Sequence, residues 1–234
     1  MLKILLITGG AKRIGREICL HLATQGWQIV IHYNNSLKEA KKLQNEINAI
    51  SKAIIIKKDL NNLSNFKGFF QKIKQRMGVP TLLINNAAIF SADNITSVTA
   101  KNLEGHMHVN CFAPILLTQE IIKINQDAQH INIINILDNS IDLNGSKSFL
   151  SYSLSKSCLS NATKLLASQV NSHCRISAIS PGFVMKTPDQ TNENFEKLIK
   201  DSGKHKTKIE DICTAIDHIL SNKKLNNVNI DLSC

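Results

Sequence analysis

The chain of 234 residues contains few aromatic residues, few prolines and few glycines. Aromatic side chains make up 5% of it, and only four prolines and ten glycines are present. This scarcity excludes collagen-like and linker-rich chains. Hydrophobic residues make up 43% of the chain, a larger fraction than disordered chains contain. We therefore predict a single domain, over residues 1–234, that buries a sizeable core.

The six cysteines include no C-x-x-C pair, and their spacing is irregular. Such spacing fits neither a zinc site nor the disulfide framework of a small secreted domain. We interpret them as small core residues of a protein that binds no metal and lies in a reducing compartment. They are Cys19, Cys111, Cys158, Cys174, Cys213 and Cys234.

Long apolar runs are also missing, and none approaches the roughly 20 residues that a membrane-spanning helix needs. The first stretch, Met1–Thr8, is too short for the apolar region of a signal peptide and leads straight into a glycine turn. We interpret it as a strand. We therefore expect a cytoplasmic protein that does not act at a membrane.

Acidic residues are fewer than basic residues. The chain has 18 aspartates and glutamates and 28 lysines and arginines, which gives a net charge of +10. A basic chain can bind nucleic acid, a membrane surface or a small anionic ligand. The lysines are dispersed over several predicted helices, and the basic–aromatic motifs of nucleic-acid-binding proteins are missing. We therefore expect no nucleic-acid partner and a small anion as the ligand.

Short runs rich in isoleucine and valine alternate with longer amphipathic stretches. Continuous apolar runs such as 133–136 predict strands that are covered on both faces. The alternation predicts an α/β fold, a doubly wound parallel sheet of about seven strands with helices on both faces and right-handed crossovers. The predicted strands are Lys3–Ile7, Gln28–His32, Ala53–Lys57, Thr81–Ile84, Ile131–Ile136, Arg175–Ile179 and Val228–Asp231. The predicted helices are Ile14–Gln25, Leu37–Ile50, Asn65–Met77, Lys101–Asn125, Phe149–Asn171 and Ile209–Leu220.

Ligands of such sheets bind beyond the carboxyl ends of the strands. The first of these loops, Thr8–Gly15, reads T-G-G-A-K-R-I-G and opens a helix. Its glycines permit a tight turn whose backbone N–H groups face a phosphate, and Gly15 permits close packing of helix on strand. Lys12 and Arg13 add positive charge. The turn predicts a dinucleotide site, although a plain β–α turn with two solvated basic residues shares these features.

The same turn resembles the T-G-x-x-x-[G/A]-x-G turn of short-chain dehydrogenases/reductases, a family with the Rossmann fold. Arg13 departs from the family's small residue. It matches the pteridine reductase branch, whose turn reads T-G-[A/G]-[A/G]-[K/R]-R-[I/L]-G. The resemblance implies that Arg13 reaches both a cofactor phosphate and a bound pterin.

The end of the second strand carries no acidic residue, since His32 is followed by Tyr33-Asn34-Asn35-Ser36. An NAD site usually places an aspartate or glutamate here on the ribose hydroxyl. A neutral end favours the 2′-phosphate of NADPH. The H-Y-x-x-S stretch again resembles pteridine reductases, although that branch often has arginine at the position of Asn35. The phosphate contacts would then come from Lys12, Arg13 and Ser36.

The loop after the fourth strand, Asn85-Asn86-Ala87-Ala88, resembles the N-N-A-G motif that lines the cofactor cleft of this family. Phe90 stands where pteridine reductases carry an aromatic residue that stacks on the pterin. Ala88 departs from that branch, where a serine that contacts the ligand is common. Without the resemblance, the asparagines are ordinary turn residues and Phe90 is ordinary packing.

Tyr152 and Lys156 are four residues apart, which places them on one face of a predicted helix. An unperturbed tyrosine has a pKa of about 10, so it holds a proton that it can donate at neutral pH. A nearby ammonium stabilises the phenolate that is left behind. This Y-x-x-x-K pair resembles the catalytic pair of the family. Asn110, inside a predicted long helix, matches the asparagine that bends the helix and holds a water in the proton relay.

The fifth strand ends at Asp138, where most short-chain reductases have a serine and pteridine reductases have an aspartate. An ionised carboxylate only accepts hydrogen bonds, so it would repel the alkoxide formed when a ketone is reduced. It suits a substrate with N–H groups or a protonatable C=N bond. The alternative is that Ser140 serves as the usual serine and Asp138 is a turn residue.

The sixth strand is followed by Pro181-Gly182, which resembles the P-G motif beside the nicotinamide. The segment Phe183–Asn194 is polar and lacks a clear period, so we predict a mobile substrate lid. The C-terminus, Asn229–Cys234, is similar to the V-D-G-G ending of the family but lacks its glycines. Asp59 matches an aspartate that contacts adenine in the family, although an aspartate after a strand is commonly a turn residue.

The resemblance implies a complete set of contacts. The cofactor residues would be Gly9, Lys12, Arg13, Ile14, Gly15, Tyr33, Asn34, Asn35, Ser36, Asp59, Leu60, Asn86, Ala87, Ala88, Pro181 and Gly182. The substrate residues would be Arg13, Phe90, Asp138, Tyr152 and Phe183. The catalytic residues would be Tyr152, Lys156, Asp138 and Asn110.

The implied activity is NADPH-dependent reduction of a dihydropterin, such as 7,8-dihydrobiopterin, dihydromonapterin or dihydrofolate, to the tetrahydro form. Family members are commonly tetramers, so we expect a homo-oligomer by analogy. Two alternatives stay open. One is a carbonyl reductase of the 3-oxoacyl-carrier-protein reductase type. The other is a regulatory protein that binds NADP(H) without catalysis.

Overall fold

The computed structural model describes residues 2–125, 130–139, 148–186 and 190–233. Seven strands form one parallel sheet in the order β3-β2-β1-β4-β5-β6-β7. The predicted doubly wound Rossmann fold is thereby confirmed. The strands are β1 Ile4–Ile7, β2 Gln28–Tyr33, β3 Ala53–Lys57, β4 Leu82–Asn85, β5 Ile131–Ile136, β6 Cys174–Pro181 and β7 Asn229–Leu232. The helices are α1 Arg13–Thr24, α2 Leu37–Asn48, α3 Phe66–Arg76, α4 Ala100–Met107, a π-helix His108–Phe112, α5 Ala113–Ile124, α6 Leu150–Gln169, α7 Asn192–Ser202 and α8 Ile209–Ser221.

Helices cover both faces of the sheet, which explains why the strands are apolar at successive positions. In β1, Leu5 and Ile7 belong to the core beneath α1, α2 and α8, whereas Ile4 and Leu6 belong to the core beneath α3, α5 and α6. All four side chains are at most 2% exposed. A strand with a solvent face would alternate apolar and polar residues instead.

The strand order changes direction beside β1. From β1 the chain builds outward to β3 and then returns to place β4 on the other side of β1. In sheets of this order, ligands bind beyond the carboxyl ends of the strands where the order reverses, so the loops after β1 and β4 are where a site is expected. The carboxyl edge of the sheet also carries the ends of β5 and β6. Within the described residues, no helix is both long and apolar enough to cross a membrane.

The predicted helix Lys101–Asn125 is divided into three parts. α4 leads into a π-helical turn, His108–Phe112, and α5 follows with Pro114 in its first turn. A π-turn inserts one extra residue without breaking the helix, so the apolar period hardly changes and the sequence pattern did not reveal it. This turn carries Asn110 into the fold.

The segment predicted as a lid, Phe183–Asn194, contains the start of a helix that we did not predict. α7 begins after Thr191, whose hydroxyl accepts a hydrogen bond from the N–H of Asn194 at 3.2 Å. Its buried side chains are Phe195 and Ile199 alone. This apolar stripe is too narrow to give a clear helical period. Thr187 to Asp189 of the predicted lid lie outside the described residues.

Candidate active site

The glycine turn after β1 is packed tightly against the loop after β4. Gly9 has a φ of +61°, a conformation that glycine adopts without strain. A Cβ atom on Gly15 would lie 2.4 Å from the carbonyl oxygen of Gly9 and 2.7 Å from the side-chain nitrogen of Asn86. Asn86 in turn donates to the carbonyl oxygens of Thr8 and Gly9 at 2.9 and 3.2 Å. The turn therefore requires glycine at both positions.

His32, at the end of β2, holds this turn from the other side. Its Nδ1 accepts a hydrogen bond from the N–H of Gly9 at 3.1 Å, and its Nε2 lies 2.9 Å from the carbonyl oxygen of Lys58. These partners require the neutral ring with the proton on Nε2. Burial lowers the pKa of His32 to about 4. The sequence motif pointed to this stretch, but it did not reveal the contact of His32 with Gly9.

The predicted phosphate end is open and carries no acidic side chain at the end of β2. Asn34 donates to Asp59 at 3.4 Å, and Asp59 also accepts from the backbone N–H of Asn61 at 2.9 Å. Lys12 lies 3.7 Å from Glu39, and both side chains are about half exposed. An ion pair of this kind is weak in water, so Lys12 is available to another anion.

Two predicted cofactor residues, Ile14 and Leu60, direct their side chains into the cores. Leu60 is 4% exposed and Ile14 packs against the core beneath α1. The guanidinium of Arg13 donates to the carbonyl oxygens of Met185 and Lys186 at 3.0 and 2.8 Å. It thus joins the glycine turn to the segment after β6. Its predicted contact with phosphate and pterin stays a prediction.

Tyr152, Lys156 and Asp138 meet where β5 ends and α6 begins. The phenol of Tyr152 donates a hydrogen bond to Asp138 at 2.6 Å, and the ammonium of Lys156 donates to the carbonyl oxygen of Ile136 at 2.7 Å. Tyr152 is 5% and Lys156 is 7% exposed. Ser140, the alternative to Asp138, lies outside the described residues.

Burial shifts the pKa values of Tyr152 and Lys156. Burial, and then the Asp138 carboxylate, raise the pKa of Tyr152 well above its ordinary value. Burial lowers the pKa of Lys156 to about 8, and Asp138 opposes that shift. At neutral pH the phenol therefore holds its proton beside a protonated amine, which is the arrangement that a general acid requires.

Asn110 lies on the π-helix, and both its side-chain oxygen and its side-chain nitrogen form hydrogen bonds with protein groups. It accepts from the N–H of Ile89 at 2.8 Å and donates to the carbonyl oxygen of Ile89 at 3.0 Å and to the hydroxyl of Ser155 at 2.9 Å. It is fully buried. Asn110 thus joins the loop after β4 to the helix that carries Tyr152. Its predicted contact with a water stays a prediction.

One aromatic ring lies against Tyr152, and a second stacks on the first. Phe90 is 43% exposed, and its ring lies edge-to-face against Tyr152 with the centroids 4.7 Å apart. The ring of Phe149 stacks on Phe90 at 4.5 Å with an angle of 16° between the planes. Sequence reasoning found Phe90 by its place after the N-N-A motif. It missed Phe149, which precedes α6 and has no motif of its own.

The loop after β6 closes the other side of the group. The N–H of Gly182 donates to Thr207 at 2.9 Å, and the Thr207 hydroxyl donates to the carbonyl oxygen of Leu232 at 2.8 Å. Phe183 accepts from the N–H of Thr207 at 2.9 Å. The predicted Pro181-Gly182 motif is therefore held in place by the C-terminal strand.

A family model described as short chain dehydrogenase matches residues 3–198. The chain belongs to the short-chain dehydrogenase family. This confirms the family resemblance predicted from the glycine turn and the tyrosine–lysine pair.

Several relatives in this family share most of the chain's length. The chain is 32% identical over 187 residues to the uncharacterized oxidoreductase YjdA of Bacillus subtilis, covering 77% of this chain and 74% of that protein. It is 24% identical over 200 residues to a dihydromonapterin reductase of Enterobacter sp., covering 85% and 81%. The crystal structure of FolM alternative dihydrofolate reductase 1 from Brucella suis in complex with NADP matches with a TM-score of 0.91 and 29% identity, covering 99% and 93%.

In this short-chain dehydrogenase, the start of α6 is anchored by a residue that sequence reasoning missed. The carboxylate of Asp93, 4% exposed, accepts hydrogen bonds from the N–H of Ser151, at 2.9 Å, and from its hydroxyl. The N–H of Leu150 donates to the carbonyl oxygen of Asp93 at 3.1 Å. A carboxylate at a helix N-terminus is favourable, and this one sets where Tyr152 stands.

The C-terminal strand reaches the same site. Asp231 accepts a hydrogen bond from the side chain of Asn139, which follows Asp138, and the Lys204 ammonium donates to the carbonyl oxygen of Asn139. Ser233 donates to Asp231 from its N–H at 2.9 Å and its hydroxyl at 2.7 Å. The C-terminal segment thus retains an aspartate, which has a structural role at the site.

The packing of the glycine turn gives a first prediction. In Gly15→Ala, the new methyl group must displace backbone atoms, so we expect a loss of about 1–3 kcal/mol in the free energy of unfolding. Denaturant unfolding measures it. Gly105→Ala is the matched control, because its Cβ would meet only Ile89 at 3.9 Å inside α4. Equal stability of the two variants would show that the turn is not closely packed.

The buried neutral His32 gives a second prediction. The unfolded chain binds a proton on this ring below about pH 6.5, whereas the folded chain does so only below about pH 4. The contribution of His32 to the free energy of unfolding is therefore complete above pH 6.5. It falls by about 3 kcal/mol as the pH falls towards 4. His32→Asn should remove that part of the pH dependence.

Thermal unfolding between pH 4 and 7 tests this, with His218→Asn, at an exposed position on α8, as the control variant. The control should keep the pH dependence of the unchanged protein. If His32→Asn keeps it as well, the ring is not the group that titrates.

Proposed function

We propose that this protein is an NADPH-dependent reductase of a dihydropterin, with the pyrophosphate of the cofactor on the glycine turn. The first turn of α1 offers its free backbone N–H groups, and no side chain caps that helix. Such an N-terminus binds phosphate groups. The turn around Gly9 and Gly15, where a Cβ would meet neighbouring protein atoms, is held in one conformation by that packing.

The neutral end of β2 supports NADPH over NADH. Tyr33, Asn34, Asn35 and Ser36 include no carboxylate that would repel a 2′-phosphate. Lys12 forms a weak, half-exposed ion pair with Glu39, its one ion pair among the described residues. The similar FolM structure from Brucella suis, at 29% identity, was solved in complex with NADP. When bound, NADPH would supply a hydride.

Asp138 is the observation that favours a pterin over a ketone. Its carboxylate accepts the hydrogen bond of the Tyr152 phenol at 2.6 Å. Beside a ketone, this negative charge would oppose the negative oxygen that develops during reduction. Beside a pterin ring, the same carboxylate accepts hydrogen bonds from N–H groups. The similar proteins include a dihydromonapterin reductase and a FolM dihydrofolate reductase, which act on such rings by their names.

The residues of the chain would manage the proton of this reaction. Tyr152 holds a proton on its phenol oxygen and gives it to the ring nitrogen of the substrate C=N bond while the adjacent carbon is reduced. The Lys156 ammonium stabilises the phenolate that remains. Asp138 orients the phenol and accepts a hydrogen bond from the new N–H group. Phe90, 43% exposed beside Tyr152, offers an aromatic face for a flat ring.

A substrate panel tests the proposal. NADPH oxidation is followed at fixed enzyme concentration with dihydrobiopterin, dihydrofolate and an acetoacetyl thioester. We expect turnover of a dihydropterin and little turnover of the thioester. Turnover of the thioester alone would establish the carbonyl reductase alternative instead. NADPH binding without any turnover would support the regulatory alternative.

The role of Tyr152 gives a third prediction. Tyr152→Phe removes the proton donor and keeps the ring, so we expect kcat to fall by about 10²–10⁴-fold. NADPH affinity, measured by fluorescence titration, should change little. Ser157→Ala, on the same helix, is the control with unchanged turnover. Retained activity of Tyr152→Phe would show that another group donates the proton.

The pKa of Lys156, lowered by burial to about 8, gives a fourth prediction. Below this pH the amine is charged and stabilises the phenolate, and above it the charge is lost. We expect kcat/KM for dihydropterin reduction to be level below about pH 8 and to fall above it. Lys156→Met should be slow at every pH and lack the fall. An unchanged pH profile in that variant would assign the fall to another group.

A further inference from the structure

Cys111 and Cys158 lie side by side although 47 residues separate them in the chain. Their sulfur atoms are 3.1 Å apart, and the thiol of Cys111 donates to the sulfur of Cys158. Cys111 lies on the π-helix and is fully buried, whereas Cys158 lies on α6 and is partly exposed. The dispersed positions of the cysteines gave no indication of this pair.

We propose that Cys111 and Cys158 form an oxidation site that reacts with hydroperoxides and closes to a disulfide. The sulfur atoms of a disulfide are about 2.05 Å apart, so these two need to approach by only about 1 Å. Nothing in the proposed reductase reaction uses either thiol.

The two thiols have different roles in this reaction. Cys158 meets solvent first, and its thiolate attacks the hydroperoxide, breaking the O–O bond and forming a sulfenic acid. The sulfur of Cys111 then attacks the sulfur of Cys158. The S–S bond forms, the S–O bond breaks, and the departing hydroxide takes the Cys111 proton and leaves as water. Two thiols are oxidised by two electrons, and one hydroperoxide is reduced to water and an alcohol or a second water.

The order of attack follows from burial. Burial, and then the hydrogen bond to Cys158, raise the pKa of the Cys111 thiol to about 12. Cys111 therefore holds its proton at neutral pH, and it is a poor first nucleophile because the thiolate is the reactive form. Its place against Cys158 makes it the resolving thiol.

The bond would join two elements that carry the candidate active site. Cys111 follows Asn110, which donates to Ser155 on α6 at 2.9 Å, and Cys158 lies two residues after Lys156. A disulfide there also closes a long loop of the unfolded chain. We therefore expect Tm to rise by about 5–10 °C on oxidation, and to return on reduction.

Mass spectrometry of the whole reduced chain tests the proposal, independently of any reductase activity. The protein is treated with hydrogen peroxide, and the remaining thiols are then alkylated. We expect a loss of about 2 Da from the joined pair, one linked peptide that contains Cys111 and Cys158, and reversal by dithiothreitol. Cys213→Ser, whose thiol is buried on α8, should still form the link.

Single variants separate the two roles. Cys158→Ser should form no link, whereas Cys111→Ser should form no link and gain oxygen atoms on Cys158. Melting of the reduced variants confirms that both fold. Oxygen atoms gained on Cys158 in the unchanged protein without a link would overturn the proposal. A link between other cysteines, or two unreacted thiols at 111 and 158, would overturn it as well.

Discussion

The chemistry that we propose for this site depends on the hydrogen bond from the phenol of Tyr152 to the carboxylate of Asp138. At 2.6 Å it ties the helix α6 to the end of β5 and places a negative charge beside a proton donor. Lys156, buried one helical turn after Tyr152, carries a positive charge that interacts with that carboxylate. This arrangement is the basis of our proposal that the substrate gains a proton on nitrogen.

The surrounding structure serves to hold that hydrogen bond in one geometry. Asp93 anchors the first turn of α6 through Ser151, and Asn110 ties the same helix to the loop after β4. Asp231 holds Asn139, the neighbour of Asp138, from the C-terminal strand. Three segments far apart in the chain therefore converge on one proton donor. The contacts of Asp93 and Asn110 with α6 are buried and would be costly to leave unpaired, so each restrains its partner.

Much of the fold was predictable, because strands covered on both faces leave a clear apolar pattern and their loops carry motifs. The seven strands and the places of Tyr152 and Lys156 follow from it. The π-turn, α7 and the contacts of Asp93 and Cys111 did not, since they depend on which distant segments meet. Arg13 shows the same limit: its position follows from the glycine turn, but its partners are backbone carbonyl oxygens of residues 185 and 186.

Exchange of the Asp138 side chain tests whether its carboxylate selects a C=N bond over a carbonyl. The measurement is the ratio of kcat/KM for a dihydropterin to kcat/KM for an acetoacetyl thioester, in the unchanged protein and in Asp138→Ser. A serine hydroxyl can donate to a carbonyl oxygen. We predict that the ratio falls at least about 10-fold in the variant, the equivalent of about 1.4 kcal/mol. An unchanged or increased ratio would show that the Asp138 carboxylate does not select the substrate.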